Sequence, residues 1–264
     1  MAVLVEGRVA QFVILVVFCV AILYFIERAR RGKVPKIRKL PGLDAIDEAV
    51  GRATEMGRPV IASHGIAGYE DYFAPQTAAG MSVLGHVAKL CAKYDTELLV
   101  PCRYAALTPV AQEIVQQAYI AEGKPESYKP DNIMYLSDEQ FAYSIGYMGL
   151  MTREKAAANI MIGAYWAESL QLAETGFIAG AIQVAGTANY HQIPFFVVCT
   201  DYCLIGEEIF AAGAYLSKDP ILSGSLAGQD VGRLITEILM ILGTILTTAG
   251  ITIAGLTLAE ILAL

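Results

Sequence analysis

No Walker A lysine loop occurs in this chain, and no G-x-G-x-x-G follows an apolar run. The two commonest phosphate-cradling turns of α/β proteins are therefore missing. The G-x-S-x-G elbow that presents a nucleophilic serine is missing too. Cysteine is sparse and odd in number: Cys19, Cys91, Cys102, Cys199 and Cys203. Without paired framework spacing they argue against a secreted disulfide scaffold. Cys199 and Cys203 do not make a C-x-x-C motif, and no second pair completes a zinc site. No metal and no cofactor is expected, and the thiols read as buried and reduced. The chain also lacks internal repeats and low-complexity tracts.

Charge is absent where the chain is most apolar. Across residues 156–199 only Glu168 and Glu174 ionise, and there is no lysine or arginine. A run of that length must be buried on most sides. Its Gly, Asn, Thr, Gln and His residues fall where apolar strands end and helices begin. It reads as the centre of a parallel sheet.

Basic charge is concentrated instead. The net charge is −7, yet Arg28, Arg30, Arg31, Lys33, Lys36, Arg38 and Lys39 form a cluster without an acid inside it, and the remainder stands at −14. An acidic body repels nucleic acid, so no nucleic-acid partner is expected. The cluster directly follows an uncharged run, residues 9–26, long enough to cross a bilayer. It reads better as a juxtamembrane stop touching anionic lipid headgroups than as an RNA or DNA site. A cleaved signal peptide fits less well. Arg8 is offset by Glu6, and no small-x-small cleavage site follows. The positive-inside rule then puts the N-terminus outside and the residues from Arg28 onward in the cytoplasm.

A second apolar stretch, residues 234–264, is broken only by Glu237 and Glu260. One tilted or kinked helix entering at Arg233 is the first reading. A hairpin turning at Gly250 and a partly soluble core segment are the alternatives. Gly250 and Ala254 form a small-x-x-x-small pair suited to close helix packing. The expected organisation is an anchor at 1–27, a basic linker at 28–42, a cytoplasmic α/β domain at 43–232 and a C-terminal hydrophobic segment at 233–264.

Within the domain, strands are expected at 59–62, 98–100, 133–136, 159–164, 181–185 and 195–199. Residues 63–68 read as a turn. Helices alternate with the strands, one of them opened by Thr108 as N-cap with Pro109 behind it. Ser137-Asp138-Glu139-Gln140 is a further helix start, and a short helix is expected to open at Gly186-Thr187. Alternation of this kind gives the α/β class: a Rossmann-like, mostly parallel sheet with helices on both faces, flanked by N- and C-terminal transmembrane helices.

Ligands of such sheets bind beyond the carboxyl ends of the strands. That places Ser63, His64 and Gly65; Cys102 and Arg103; Ser137, Asp138 and Gln140; Glu168 and Ser169; Gly186 and Thr187; and Thr200 and Asp201 on a candidate ligand-binding rim. His64-Gly65-Ile66-Ala67-Gly68 offers amides that an anion would use, or a plain turn. Arg103 would neutralise a ligand anion or pair with a neighbouring acid. Cys102 and Cys199 would need a nearby histidine to act as nucleophiles. Glu168 and Glu174 are six residues apart and face different ways, which gives little support to a carboxylate pair. No catalytic residue is assigned.

Five segments, PGLDAIDEAVGRATEMGRPV (41–60), PVAQEIVQQAYIAEGKPE (109–126), AESLQLAETG (167–176), GAIQVAGT (180–187) and IGEEIFAAGAYLS (205–217), resemble an uncharacterised prokaryotic family of membrane-anchored α/β domain proteins. The resemblance covers residues 40–245 and implies no activity. It departs at His64, where a proline is expected before the glycine, and that weakens a catalytic role for His64. Small residues on helices such as 207–217 and the anchors in one plane point to a homo-oligomer. The expected function is a self-associating scaffold or organiser on the cytoplasmic membrane face. The alternatives are a small-anion or nucleotide-binding protein or enzyme, and a subunit of a membrane hetero-complex with another membrane protein.

Overall fold

Runs such as LLVPC and ANIMIGA are buried at every position, which requires cover on both faces and so a parallel sheet flanked by helices. The computed structural model describes residues 8–250. It divides into an α/β unit, Arg38–Leu216, and a unit made of the chain's two ends.

In the α/β unit α2 (Pro41–Met56) precedes β1 (Val60–Gly65). Then follow α3 (Ala74–Tyr94), β2 (Leu98–Cys102), α4 (Thr108–Ala121), β3 (Ile133–Tyr135), α5 (Gln140–Glu154), β4 (Ala158–Ala164), α6 (Glu168–Ile178), β5 (Ile182–Thr187), α7 (Ile193–Cys199), β6 (Tyr202–Ile205) and α8 (Glu208–Ser217). The six described strands are all parallel, in the order β3-β2-β1-β4-β5-β6. This is the doubly wound Rossmann order, with its switch point between β1 and β4. Period-two alternation splits the core. Val60, Ala62, Val100, Ile160 and Val184 pack with α2, α3, α4 and α8, whereas Ile61, Leu99, Met161 and Ala185 pack with α5, α6 and α7.

Several local expectations change. Ser63 and His64 belong to β1, not to a turn, and Gly186 and Thr187 end β5 rather than opening a helix. Thr108 is no N-cap: a 3₁₀ turn at Ala105–Leu107 runs straight into α4, and the Thr108 hydroxyl donates back to the Tyr104 carbonyl at 3.3 Å. Residues 195–199 are helix, not strand, and the sixth strand is β6. Pro194 in the first turn pre-sets the helix, and a short edge helix buries only Phe196, leaving Val198 82 % exposed.

The terminal unit holds α1 (Val9–Arg30) and α9 (Pro220–Thr248), both long and apolar enough to cross a membrane. Helix α9 starts well before Arg233, because Asp219 accepts the Ile221 amide at 2.7 Å and Pro220 follows at N1. The two helices pack through Gly224, Gly228 and Gly232. A Cβ on Gly224 would sit 2.8 Å from the Phe25 carbonyl oxygen, on Gly228 2.5 Å from Ile22 Cα, and on Gly232 2.3 Å from the Phe18 ring. Rising numbers on α9 meet falling numbers on α1, so the pair is antiparallel. This seam supplies the close packing between α1 and α9. Gly250 follows the end of α9 with φ +69°, and Ala254 and Glu260 lie outside the described residues.

Candidate functional site

The carboxyl ends of β1 and β4 are the natural place for a ligand, and here the backbones of both strands and of α3 approach one another closely. Gly65 (φ +90°) and Gly163 (φ +151°) accompany a register shift between the two strands. A Cβ on Gly163 would lie 2.2 Å from the His64 carbonyl oxygen. Helix α3 presses onto the same spot: a Cβ on Gly80 would lie 2.2 Å from the Ile162 oxygen and 2.8 Å from His64 Cα.

Around this point the polar side chains bond to one another. Arg103 donates to the Ile66 carbonyl at 2.8 Å and to the Asp138 carbonyl at 3.0 Å, and lies 4.9 Å over the Tyr104 ring. These bonds tie the loops after β1 and β3 together. Ser137 accepts the Glu139 amide, and the Asp138 amide donates to the Tyr135 hydroxyl, so both hold the turn before α5. Glu168, fully buried at the start of α6, accepts from the Trp166 amide at 2.9 Å and from the Gln140 side chain. Ser169 donates to Gln192 at 2.8 Å. Ser63 bonds the Tyr143 hydroxyl at 3.0 Å, on the α5 side of the sheet.

Sequence reading missed the residues that knit this rim. Gln76 accepts from Thr187 and from the Ala188 amide and donates to Asn189, which in turn donates to the Tyr165 carbonyl at 2.7 Å. Thr77 donates to the Ala67 and Gly68 carbonyls. The one available signal was Pro75 ahead of Gln76-Thr77, which marks the first turn of α3, where polar side chains meet the strand ends.

Two expected rim residues are elsewhere. Asp201 accepts the Gln183 amide at 2.8 Å, near the amino end of β5, and Thr200 lies beside it. Both moved to the opposite end of the sheet once 195–199 became helix. Gly186 is packed inside, a Cβ there falling 2.8 Å from Leu204 Cβ. Burial raises the Cys102 thiol to about 12 and the Cys203 thiol to about 11, far from nucleophilic at neutral pH. Glu168 is buried and Glu174 exposed, as six-residue spacing implies. Among the described residues no three His, Cys, Asp or Glu side chains gather as a metal site.

His64 is fully buried, with neither ring nitrogen hydrogen-bonded among the described residues, and burial lowers its pKa to about 4. Between pH 6.5 and 4 the unfolded chain binds a proton that the native imidazole refuses, so stability falls as pH falls through that window. The loss should reach about 3 kcal/mol near pH 4. Urea titrations of the full chain in detergent at pH 7 and pH 4.5 should show it, and His64→Leu should flatten the difference. An unchanged difference in that variant would rule the imidazole out as its source.

Arg103→Ala strands two loop carbonyls and should cost about 1–3 kcal/mol, read as a lower unfolding midpoint. The same change should speed proteolysis of the loop after β1. An unaltered cleavage rate would mean the guanidinium does not hold it.

A separate recess of about 230 Å³ opens at the amino ends of β2 and β3, lined in part by Thr96, Glu97, Tyr119, Tyr128, Lys129 and Asn132. Glu97 accepts from Lys129 and from Asn132, both at 3.3 Å. The basic cluster is exposed throughout. Arg31 pairs with Glu27 and Arg38 with Glu208; Arg28, Arg30, Lys33, Lys36 and Lys39 have no ion pair among the described residues.

One family model, described as Domain of unknown function (DUF6754), matches residues 1–258. The chain belongs to that family. No curated protein and no solved structure matches it. The DUF6754 match is wider than the resemblance at residues 40–245, and it takes in α1 and α9 as well as the α/β unit. The helix pair is thus part of what the family model describes.

Proposed function

We propose that this protein is a membrane-anchored, self-associating scaffold whose α/β domain works at the cytoplasmic membrane face. The glycine-seamed pair α1 and α9 carries the reading: its two helices have spanning length and composition, with the domain inserted between them. Positive charge at Arg28 to Lys39 favours the cytoplasmic side for everything that follows. Exposed apolar side chains on α5, α6 and α7 (Ile145 65 %, Phe177 74 %, Val198 82 %) supply surface for contact with further copies or with another membrane protein. The rim at the strand ends, bonded to itself, supports a scaffold over a ligand-binding domain.

In intact cells, protease added outside should leave the domain uncut until the membrane is broken, and carbonate should leave the protein in the membrane. Cleavage in intact cells or release by carbonate overturns the anchoring. Light scattering in mild detergent should give more than one chain per particle. A second reading, binding of a small anion or nucleotide, is favoured by the recess that holds Lys129, Asn132 and two tyrosines. A thermal-shift screen with nucleotides and phosphorylated metabolites separates the two: the scaffold reading expects no rise in the midpoint.

A further inference from the structure

Helix α9 has a second face. At 100° per residue, Asp230, Arg233 and Glu237 fall about 140–200° around the helix from Gly228, on the side away from α1. Gln229 lies at the edge of the same stripe. The seam fixes their level: Gly224 meets Ile26, Gly228 meets Ile22 and Gly232 meets Phe18. Continuing that antiparallel register sets Asp230 level with Val20, Arg233 with Val17 and Glu237 with Val13.

At those levels α1 shows valines to its surroundings, 60 %, 42 % and 54 % exposed, in a stretch without a charge. A hydrocarbon environment that suits those valines is costly for the carboxylates and guanidinium beside them. Arg233 and Glu237 pair at 2.8 Å, yet their side chains stay 59 % and 46 % exposed. Asp230 is exposed and has no ion pair among the described residues. One side of the helix pair suits lipid; the stripe on the other suits a polar, charge-bearing protein surface.

We propose that this stripe is covered by α9 of a second copy, so that the pair of helices becomes a four-helix assembly in the bilayer. The charge order supports this occupant. Acid, base and acid follow at spacings of three and four residues, one helical turn each. Two copies in the same orientation, side by side about an axis along the membrane normal, bring residue i of one near i±3 and i±4 of the other. Arg233 of each copy then lies between Asp230 and Glu237 of the other, and Gln229 can bond across. The anchors hold both copies in one plane and one orientation, which raises their effective concentration. This rests on the reading that α1 and α9 cross the membrane.

The test uses full-length chains carrying donor and acceptor fluorescent tags, reconstituted in phosphatidylcholine and phosphatidylglycerol vesicles, with energy transfer followed as lipid dilutes the protein. Arg233→Glu makes the stripe wholly acidic, and Asp230→Arg with Glu237→Arg makes it wholly basic. Each alone should raise the dissociation constant by about tenfold or more, and mixing the two should restore transfer to the native level. Native-strength association of Arg233→Glu overturns the pairing, and so does failure of the mixture to recover while both variants stay carbonate-resistant. Capture of a different membrane protein on the stripe, with native copies showing no transfer, overturns the choice of occupant. Loss of the native chain itself to carbonate would instead sink the membrane reading on which the pairing rests.

Discussion

Gly80→Ala is expected to cost the α/β unit more than about 4 kcal/mol, a large part of the roughly 5–15 kcal/mol that holds a domain of this kind. The added carbon would lie 2.2 Å from the Ile162 carbonyl oxygen and 2.8 Å from both Cα and O of His64. All of these are backbone atoms of the two central strands, so no rotamer change can clear them. Helix α3 would have to withdraw from the sheet, uncovering Val83, Leu84 and Val87, which are now almost fully buried. Gly149→Ala is the control. It lies exposed within α5 with nothing within 4 Å of its added carbon, and alanine there should raise stability by up to about 1 kcal/mol. Urea unfolding of the two variants should move in opposite directions. A Gly80→Ala protein within about 1 kcal/mol of the parent would mean that α3 is not pressed against the strands.

Gly228→Leu should part the terminal helices and leave the α/β unit folded. Its Cβ meets Ile22 Cα at 2.5 Å and the Ile22 nitrogen at 3.0 Å, again main chain rather than a movable side chain. Where two such helices cross a bilayer no hydrophobic force compensates, because close packing is itself the attraction. Leucine should push the axes apart by roughly 2–3 Å, toward the 8–10 Å of ordinary helix pairs, and Gly228→Ala by less. Spin labels at Leu23 and Leu234, both more than half exposed, would report the separation once Cys19, Cys199 and Cys203 are replaced by serine. The native pair should give a narrow distance distribution and Gly228→Leu a broad, longer one. Identical distributions would remove the glycine seam as the cause of the pairing.

The sheet was legible because its chemistry is local. Strands that are mostly apolar and carry no charge, separated by helices, imply a parallel sheet whatever their partners. The charge-poor run of residues 156–199, with Glu168 and Glu174 its only ionised side chains, does contain β4 and β5. Residues 195–199 misled because four consecutive apolar side chains carry no period, and Pro194 is compatible with either reading. The start of α9 is hidden for another reason: Asp230 and Arg233 make its first half read as soluble. At the candidate site the sequence marks Arg103 but not its partners, which are carbonyls that any sequence would offer. Gln76 and Asn189 are 113 residues apart and meet only because β1 and β5 flank β4. Gly80 looks like any helical glycine until the distance to the strands is known.

The placement of α8 against α2 bears on the order in which the protein is built. Tyr215 donates to Asp44 at 2.6 Å and Arg38 pairs with Glu208, so the first and last helices of the α/β unit are joined. About 190 residues separate α1 from α9 along the chain. At ribosomal speeds of ~5–20 residues per second, α1 waits roughly 10–40 s for its mate. During that interval Phe18, Ile22 and Phe25 have no glycines to receive them. The α1–α9 seam can therefore close only after the whole α/β segment has been synthesised.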